Sequence, residues 1–327
     1  MNIISKTFLL SGVLLAVHCK ARASTFLPAG KYLAYEDRNS GNVEVLDAQG
    51  KKCLTIENAT QPCLSSDTRS IAFVRVENIL VGKESLRQSD IWTLDIVSRQ
   101  ERRLTNTRDS EHNPAWSPDG TMLAFSTRRE GKYGDFGLLE IMNADGSARH
   151  AITSDDDCNK PSWHPSGKLL CFVRLGEVCR VDITGKNRRR LTFSGFAADF
   201  PQYSPDGRWI VFSDGNDESV TTRDGGRFGP IIRSTDSLYR INATGESPKH
   251  RAMKLTSGES DDDMPQYSAD GKWIVFSSDR KDRAASPPLN PDDEGARYWR
   301  TLCIMDANGN KARTLNVGGD VYFPSWR

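Results

Sequence analysis

Carboxylates recur at one kind of place along this chain. Asp157, preceded by Asp155 and Asp156, comes just ahead of Lys160-Pro161-Ser162-Trp163. Asp199 leads into Phe200-Pro201-Gln202-Tyr203, and Asp263 ends the run Asp261-Asp262-Asp263 before Met264-Pro265-Gln266-Tyr267. Asp320 precedes Phe323-Pro324-Ser325-Trp326, and Glu111 with His112 holds the same place before Asn113-Pro114-Ala115-Trp116. Gathered in space, such oxygen ligands suit Ca2+ or a basic partner segment. Like charges held close together are costly unless protonated, paired or metal-bound. Arg128, Arg129 and Arg280 are candidate partners for them. No spaced calcium loop of the form DxDxDG occurs. The competing expectation is that these aspartates cap turns in ordinary loops.

Covalent chemistry has little to stand on. The chain has no GxSxG nucleophile elbow, no HExxH and no phosphate loop. Past the N-terminal segment the histidines are His112, His150, His164 and His250, and only His112 falls beside the carboxylates. Lysine and arginine number 44 against 43 aspartates and glutamates, a balance that lacks the electrostatic footprint of a nucleic-acid binder. The primary expectation is therefore a binding scaffold for a protein or peptide, with no catalytic residues. The alternative is an enzyme or ligand-binding protein that acts on a carbohydrate or peptide, with a metal among the carboxylates.

The elements that must position these residues are repeats. "NPAWSPDGTMLAFS" from Asn113, "KPSWHPSGKLLCFV" from Lys160, "FPQYSPDGRWIVFS" from Phe200 and "MPQYSADGKWIVFS" from Met264 nearly superimpose. Weaker copies begin at Phe26 and Gln61. The spacing from proline to proline is roughly 40 to 65 residues, a period that belongs to four-stranded propeller blades. In Ser-Pro-Asp-Gly, proline presets φ, aspartate fits the second position and glycine supplies the left-handed conformation of a tight hairpin. "MLAFS" and "WIVFS" then read as strands of β-branched and aromatic residues. Six turn motifs, and six strand endings of the Leu-Thr type from Leu54-Thr55 to the looser Thr314-Leu315, give six blades. The chain ends in an inner-strand motif with no turn after it and begins with a turn motif that lacks an inner strand. Residues Tyr322 to Arg327 are thus expected to complete blade one. The fold class is all-β, a six-bladed β-propeller of four antiparallel strands per blade.

"PAWSPDGTMLAFSTRREG" and "PQYSADGKWIVFSSDRKD" resemble the repeats of the TolB-type β-propeller family, over roughly residues 26 to 327. That family includes the propellers of prolyl oligopeptidases and the oligogalacturonate lyases. The resemblance implies the propeller fold, and for a TolB-like chain an exported, partner-binding role. TolB carries an α/β domain ahead of its propeller, whereas here Ala23 runs almost straight into blade one, so a contact made through that domain does not carry over. Lyase chemistry of that family would need a histidine cluster in the channel, for which the histidines are too few.

Antiparallel alternation puts all Ser-Pro-Asp-Gly turns on one face, the bottom. The carboxylates and the longest connections then share the top. Those connections are Arg75 to Asp90, Asp214 to Ser237 with Arg223 and Arg227, and Asp279 to Arg300. Long loops in a compact domain are usually functional or mobile. Glu111, His112, Asp157, Asp199, Asp263, Asp320, Arg128, Arg280, Arg223 and Arg227 are therefore the expected partner-binding residues.

The N-terminus reads as a secretory signal peptide. Lys6 precedes an apolar run from Thr7 to Val17, and Ala21-Arg22-Ala23 is a cleavage site, giving residues 1–23 as signal and 24–327 as propeller. Lipid attachment at Cys19 is disfavoured because His18 replaces the small residue a lipobox requires. The expected compartment is the periplasm or the exterior, the expected state a monomer without a transmembrane segment. The six remaining cysteines are either disulfide-bonded or buried free thiols.

Overall fold

The computed structural model describes residues 26–81, 84–129, 136–154, 157–193, 195–222, 231–245, 247–248, 251–256, 260–280 and 300–327. The signal-peptide expectation, Asp155, Asp156, Arg223 and Arg227 lie outside these residues.

Six four-stranded antiparallel sheets form the molecule. Blade two runs Thr60–Leu64, Ser70–Val81, Glu84–Asp95 and Glu101–Arg103 from the axis outward. Blade three is Ser110–Trp116, Met122–Arg129, Phe136–Asn143 and His150–Ala151. Blade four is Cys158–Trp163, Leu169–Arg174, Glu177–Asp182 and Arg189–Arg190. Blade five is Ala198–Tyr203, Trp209–Thr222, Ile231–Asn242 and Met253–Lys254. Blade six is Asp262–Tyr267, Trp273–Ser278, Thr301–Asp306 and Arg313–Leu315. Blade one takes its inner strand, Val321–Trp326, from the far end of the chain and adds Tyr32–Asp37, Asn42–Asp47 and Lys52–Ile56. Leu33 pairs with Trp326 and Ala34 with Ser325, so head and tail close the ring as the repeats require. A short parallel bridge, Thr192–Phe193 against Ser247–Pro248, ties the exit of blade four to blade five.

The turns follow the chemistry of their residues. In blade three Gly120 N–H donates to Ser117 O at 3.0 Å with Gly120 at φ +72°. Asp119 Oδ1 accepts from Ser117 Oγ at 2.6 Å and from Thr121 N–H at 3.0 Å, which locks the loop. The Leu-Thr endings have an equally local cause. Thr153 Oγ1 accepts from Leu139 N–H at 2.9 Å, Thr192 Oγ1 from Val178 N–H at 2.9 Å and Thr256 Oγ1 from Leu238 N–H at 3.0 Å. In each case the threonine completes a ladder that the short outer strand would leave open, and a buried N–H without an acceptor is costly.

The core lies in the seams. Each seam has its own apolar cluster, built from the facing sides of two neighbouring sheets. Phe73, Phe125, Phe172, Phe212 and Phe276, at equivalent second-strand positions, are all fully buried. Full burial of one such ring stabilises by about 1.5–3 kcal/mol. No two of the six cysteines are joined, and Cys158, Cys171, Cys179 and Cys303 are buried among these side chains.

Two connections expected to be loops are strands instead. Arg75 to Asp90 continues blade two as a hairpin whose register runs unbroken to Val81↔Glu84. Much of Asp214 to Ser237 likewise extends blade five, with pairing out to Thr222↔Ile231. Their length suggested loops, but a hairpin that rises from a complete sheet inherits its register. Both extensions rise from the top face, on blades that stand opposite one another. No helix among the described residues is long and apolar enough to cross a membrane.

Candidate functional site

Each inner strand is broken at the same point. The residue before the strand proline has a left-handed backbone in all six blades: Gln61 (φ 52°), Asn113 (53°), Lys160 (55°), Phe200 (46°), Met264 (55°) and Phe323 (48°). Such angles are uncommon outside glycine, and the register of each inner strand shifts there, as between Asp199 and Gln202 or between Asp263 and Gln266. These are bulges, which bend a strand and re-aim a side chain. The N–H freed by the bulge finds a side-chain acceptor in five blades. Gln61 Oε1 accepts from Asn113 at 2.6 Å, Ser126 Oγ from Lys160 at 2.9 Å, and Met264 Sδ from Phe323 at 3.2 Å. Asp199 Oδ1 accepts from Phe200 at 3.1 Å and Asp263 Oδ1 from Met264 at 2.7 Å.

The six bulged side chains meet at the neck of the channel. The Phe200 and Phe323 rings touch edge to face with centroids 5.5 Å apart, although blade six stands between their blades. Lys160 Nζ sits 4.0 Å from the centre of the Phe200 ring. The neck is polar on blades two to four, with Gln61, Asn113 and Lys160, and apolar on blades five, six and one.

Above the neck, carboxylates converge beside blades five and six. Asp236 N–H donates to Asp261 Oδ1 at 3.1 Å, and Asp261 N–H to Asp279 Oδ1 at 2.8 Å. Arg300 is bonded through its guanidinium to the Asp261 carboxylate and through its N–H to Asp320 Oδ1 at 2.9 Å. Asp263 is buried and also accepts from Ser213 Oγ at 2.6 Å. Lys160 pairs with Asp199. Burial pushes the Asp236 carboxyl up to about 7, reinforced by the charges of Asp263, Asp261 and Asp199 and opposed by Arg300. Burial also raises Asp263 and Asp279. A carboxyl cluster with one half-buried arginine can offer negative charge to a cationic group, and it sheds part of that charge as the pH falls.

The other residues expected to bind a partner are distributed differently. Glu111 is fully buried, held by Thr107 Oγ1 at 2.8 Å and Arg149 at 2.8 Å, and burial raises its carboxyl. His112 lies against Ser89 Oγ at 3.1 Å, and burial, with Arg128 and Arg87 nearby, lowers its pKa. Arg280 forms a two-pronged pair with Asp262 at 3.1 and 2.7 Å. Asp157 is exposed beside Gly137, with no role in the cluster. Asp199, Asp263 and Asp320 are thus brought together with Arg300; Glu111, His112, Asp157 and Arg280 are not part of that group. Asp236, Lys160 and Arg300 were missed. Lys160 was readable, since each strand proline is preceded by a residue of free choice. Asp236 carried no signal, because it sits inside a connection read as a loop. Among the described residues no three histidines, cysteines or carboxylates are grouped to hold a metal ion.

A family model described as the TolB beta propeller domain matches residues 22–225. The chain is 29% identical over 236 residues to a Bacillus subtilis (strain 168) protein described as an uncharacterized peptidase, YuxL, covering 71% of this chain and 31% of that one. It is 27% identical over 218 residues to the uncharacterized protein Atu1656 of Agrobacterium fabrum, covering 64% of each. The chain therefore spans about one third of the first relative and less than two thirds of the second. Among solved structures, TolB from Acinetobacter baumannii superposes with a TM-score of 0.64 at 20% identity, over 90% of this chain and 66% of that one.

Proposed function

This chain belongs to the TolB beta propeller domain family, and on that premise we propose that it is an exported scaffold whose top face binds a basic segment of a protein or peptide partner in the cell envelope. The observation that carries this reading is the convergence of Asp199, Asp236, Asp261 and Asp263 around Arg300 at the channel mouth. A cluster of carboxylates outnumbering its cations attracts a lysine- or arginine-bearing segment and speeds its encounter. The hairpins of blades two and five rise from the same face and give such a segment lateral walls. Strand edges at their tips also offer backbone groups to an extended peptide.

Export is part of the proposal, since the segment from Lys6 to Ala23 has the plan of a signal peptide. The test has two arms. Cells that express residues 1–327 with a C-terminal tag are fractionated, and the tagged product is weighed. A periplasmic protein that begins at Ser24 is expected; a full-length cytoplasmic one overturns export. Crosslinking in the envelope with wild type and a D199N/D261N double variant reads the site. A defined partner lost in the variant, and lost from wild type in high salt, is expected. Equal recovery overturns the acidic mouth.

A further inference from the structure

Lys160 is held by its neighbours in an unusual way. It occupies the bulge of blade four, and its ammonium reaches across to blade five, where it pairs with Asp199 and lies 4.0 Å from the centre of the Phe200 ring. An ammonium has three donors, yet Asp199 Oδ2 is its one hydrogen-bond acceptor among the described residues. The other oxygen, Asp199 Oδ1, accepts from the Phe200 N–H at 3.1 Å and caps the bulge. Phe323 meets the Phe200 ring edge to face with centroids 5.5 Å apart and backs it from across the neck. A carboxylate oxygen and an aromatic face that converge on one point make a seat for an ammonium, and the chain places one of its own there.

The fold does not demand a cation at that place. The bulge of blade four is secured by the Lys160 N–H, which donates to Ser126 Oγ at 2.9 Å, and by Pro161. The five equivalent bulges carry Gln61, Asn113, Phe200, Met264 and Phe323. Side chains of Lys160 and Asp199 are 23% and 33% exposed, so solvent reaches the pair and it adds little to stability. Arg300 is held differently: its side chain is 11% exposed, and its guanidinium engages both the carboxylate and the backbone oxygen of Asp261. The charge of Asp199 is felt by Asp236 and Asp263, so the seat belongs to the same negative field as the mouth. Lys160 is the cation there that can leave, on a flexible four-carbon stem.

We propose that the Asp199–Phe200 corner is a primary-ammonium site, filled by Lys160 in the free protein and taken over by a lysine side chain of the bound partner. The inference rests on the reading of the top face as a site for a basic segment, and it names the residue type that enters the channel. The exchange trades one ammonium for another, so Asp199 is never left without a counter-charge. The resident is tethered, and a tether acts as a high local concentration of competitor. An isolated amine therefore displaces it poorly, whereas a segment that also engages the carboxylates of blades five and six has the additional contacts to do so. Lys160 thereby sets a threshold that selects a basic chain over free cations.

NMR titration of the purified protein with acetyl-Ala-Lys-Ala amide, and with the norleucine peptide as its neutral counterpart, reads the seat without any envelope partner. K160M and K160Q open it, and both keep the wild-type melting temperature, since methionine and glutamine already stand at this bulge in blades six and two. Each is expected to bind the lysine peptide about tenfold more tightly than wild type does, with no gain for the norleucine peptide. Two further substitutions are made in the K160M background. D199N keeps an amide oxygen to cap the Phe200 N–H, F200L leaves every charge in place, and each is expected to weaken the lysine peptide severalfold. Affinity equal to wild type in both opened variants overturns the proposal, as does an equal gain for the norleucine peptide. A gain untouched by F200L also overturns it, because net charge alone then explains the effect. The titration and the envelope crosslinking fail separately: crosslinking that finds no partner while K160M gains affinity removes the partner reading and leaves the ammonium site, and the reverse result removes the site alone.

Discussion

Leu33 and Trp326, near the two ends of the chain, are register partners in one sheet, and Trp326 is fully buried against the seam that Leu33 also fills. Ring closure therefore depends on one strand of six residues, Val321–Trp326. Trp326→Ala removes a large buried ring and a donor to Ala29 O. It is expected to cost about 3–5 kcal/mol, read as a lower denaturant midpoint. Deletion of residues 321–327 exposes the edge of Tyr32–Asp37, and the product is expected to associate, which light scattering detects.

The threonine latches give a smaller, repeatable effect. Thr192→Val keeps shape but leaves the Val178 N–H, buried in blade four, without its acceptor. The expected loss is about 1–3 kcal/mol. Thr153→Val should behave alike through Leu139. Thr184→Val, in an exposed turn where Thr184 donates to Asp182, should cost clearly less. Urea unfolding of the three variants checks the ranking.

The Asp236 carboxyl makes stability depend on pH. Its folded value is raised to about 7, against about 3.9 in an unfolded chain. The folded state thus binds this proton more tightly. The resulting stabilisation is complete below about pH 4 and is lost as pH rises through about 7. Burial sets it first, followed by the charges of Asp263, Asp261 and Asp199, with Arg300 opposing. Asp236→Asn is expected to flatten the fall in denaturant midpoint between pH 5 and pH 8. An unchanged slope would show that another group governs that range.

Arg300 is the main cation of the mouth. Arg300→Gln leaves Asp261, Asp263 and Asp236 less compensated, and breaking one partner of a buried pair costs about 3–5 kcal/mol. Arg300 is 11% exposed at its side chain but Asp261 is 30% exposed, so solvent screening reduces the expected loss to about 1–3 kcal/mol. The loss should be smaller at pH 5 than at pH 8, because protonated neighbours need less compensation.

Removal of residues 79–86 and joining of the shortened blade-two strands tests the hairpin. The seam packing of Phe73 and Ile91 lies well below the tip. The melting temperature is expected to stay close to wild type, while crosslinking to the envelope partner falls.

The propeller was readable because its determinants are local and repeated. Ser117-Pro118-Asp119-Gly120 specifies its own turn, and Phe125, Phe172 and Phe212 mark one strand position in successive blades. Closure was readable because an unpaired turn motif and an unpaired inner-strand motif stand at opposite ends. The mouth was only partly readable. Asp199 and Asp263 were found from their place before a proline, yet each also caps the bulge beside it, the local task that the turn-capping expectation assigned to such aspartates. Glu111 shares that sequence position but turns into the interior, because Arg149 in the following turn reaches back to it. Asp236 and Arg300 reach the cluster through connections whose path no periodicity encodes.

The six bulges leave a distinctive freedom. The backbone is held by the adjoining proline at each and by a side-chain hydrogen bond at five, and amide, ammonium, thioether and phenyl side chains all occupy the position here. Exchange at Asn113, Lys160, Phe200 or Phe323 takes no acceptor from a neighbouring bulge, whereas Gln61 and Met264 each hold the bulge N–H of another blade, Asn113 and Phe323 respectively. Width, polarity and charge at the waist of the ring are thereby decoupled from folding at four of the six positions, and separate substitutions there can retune what passes or lodges.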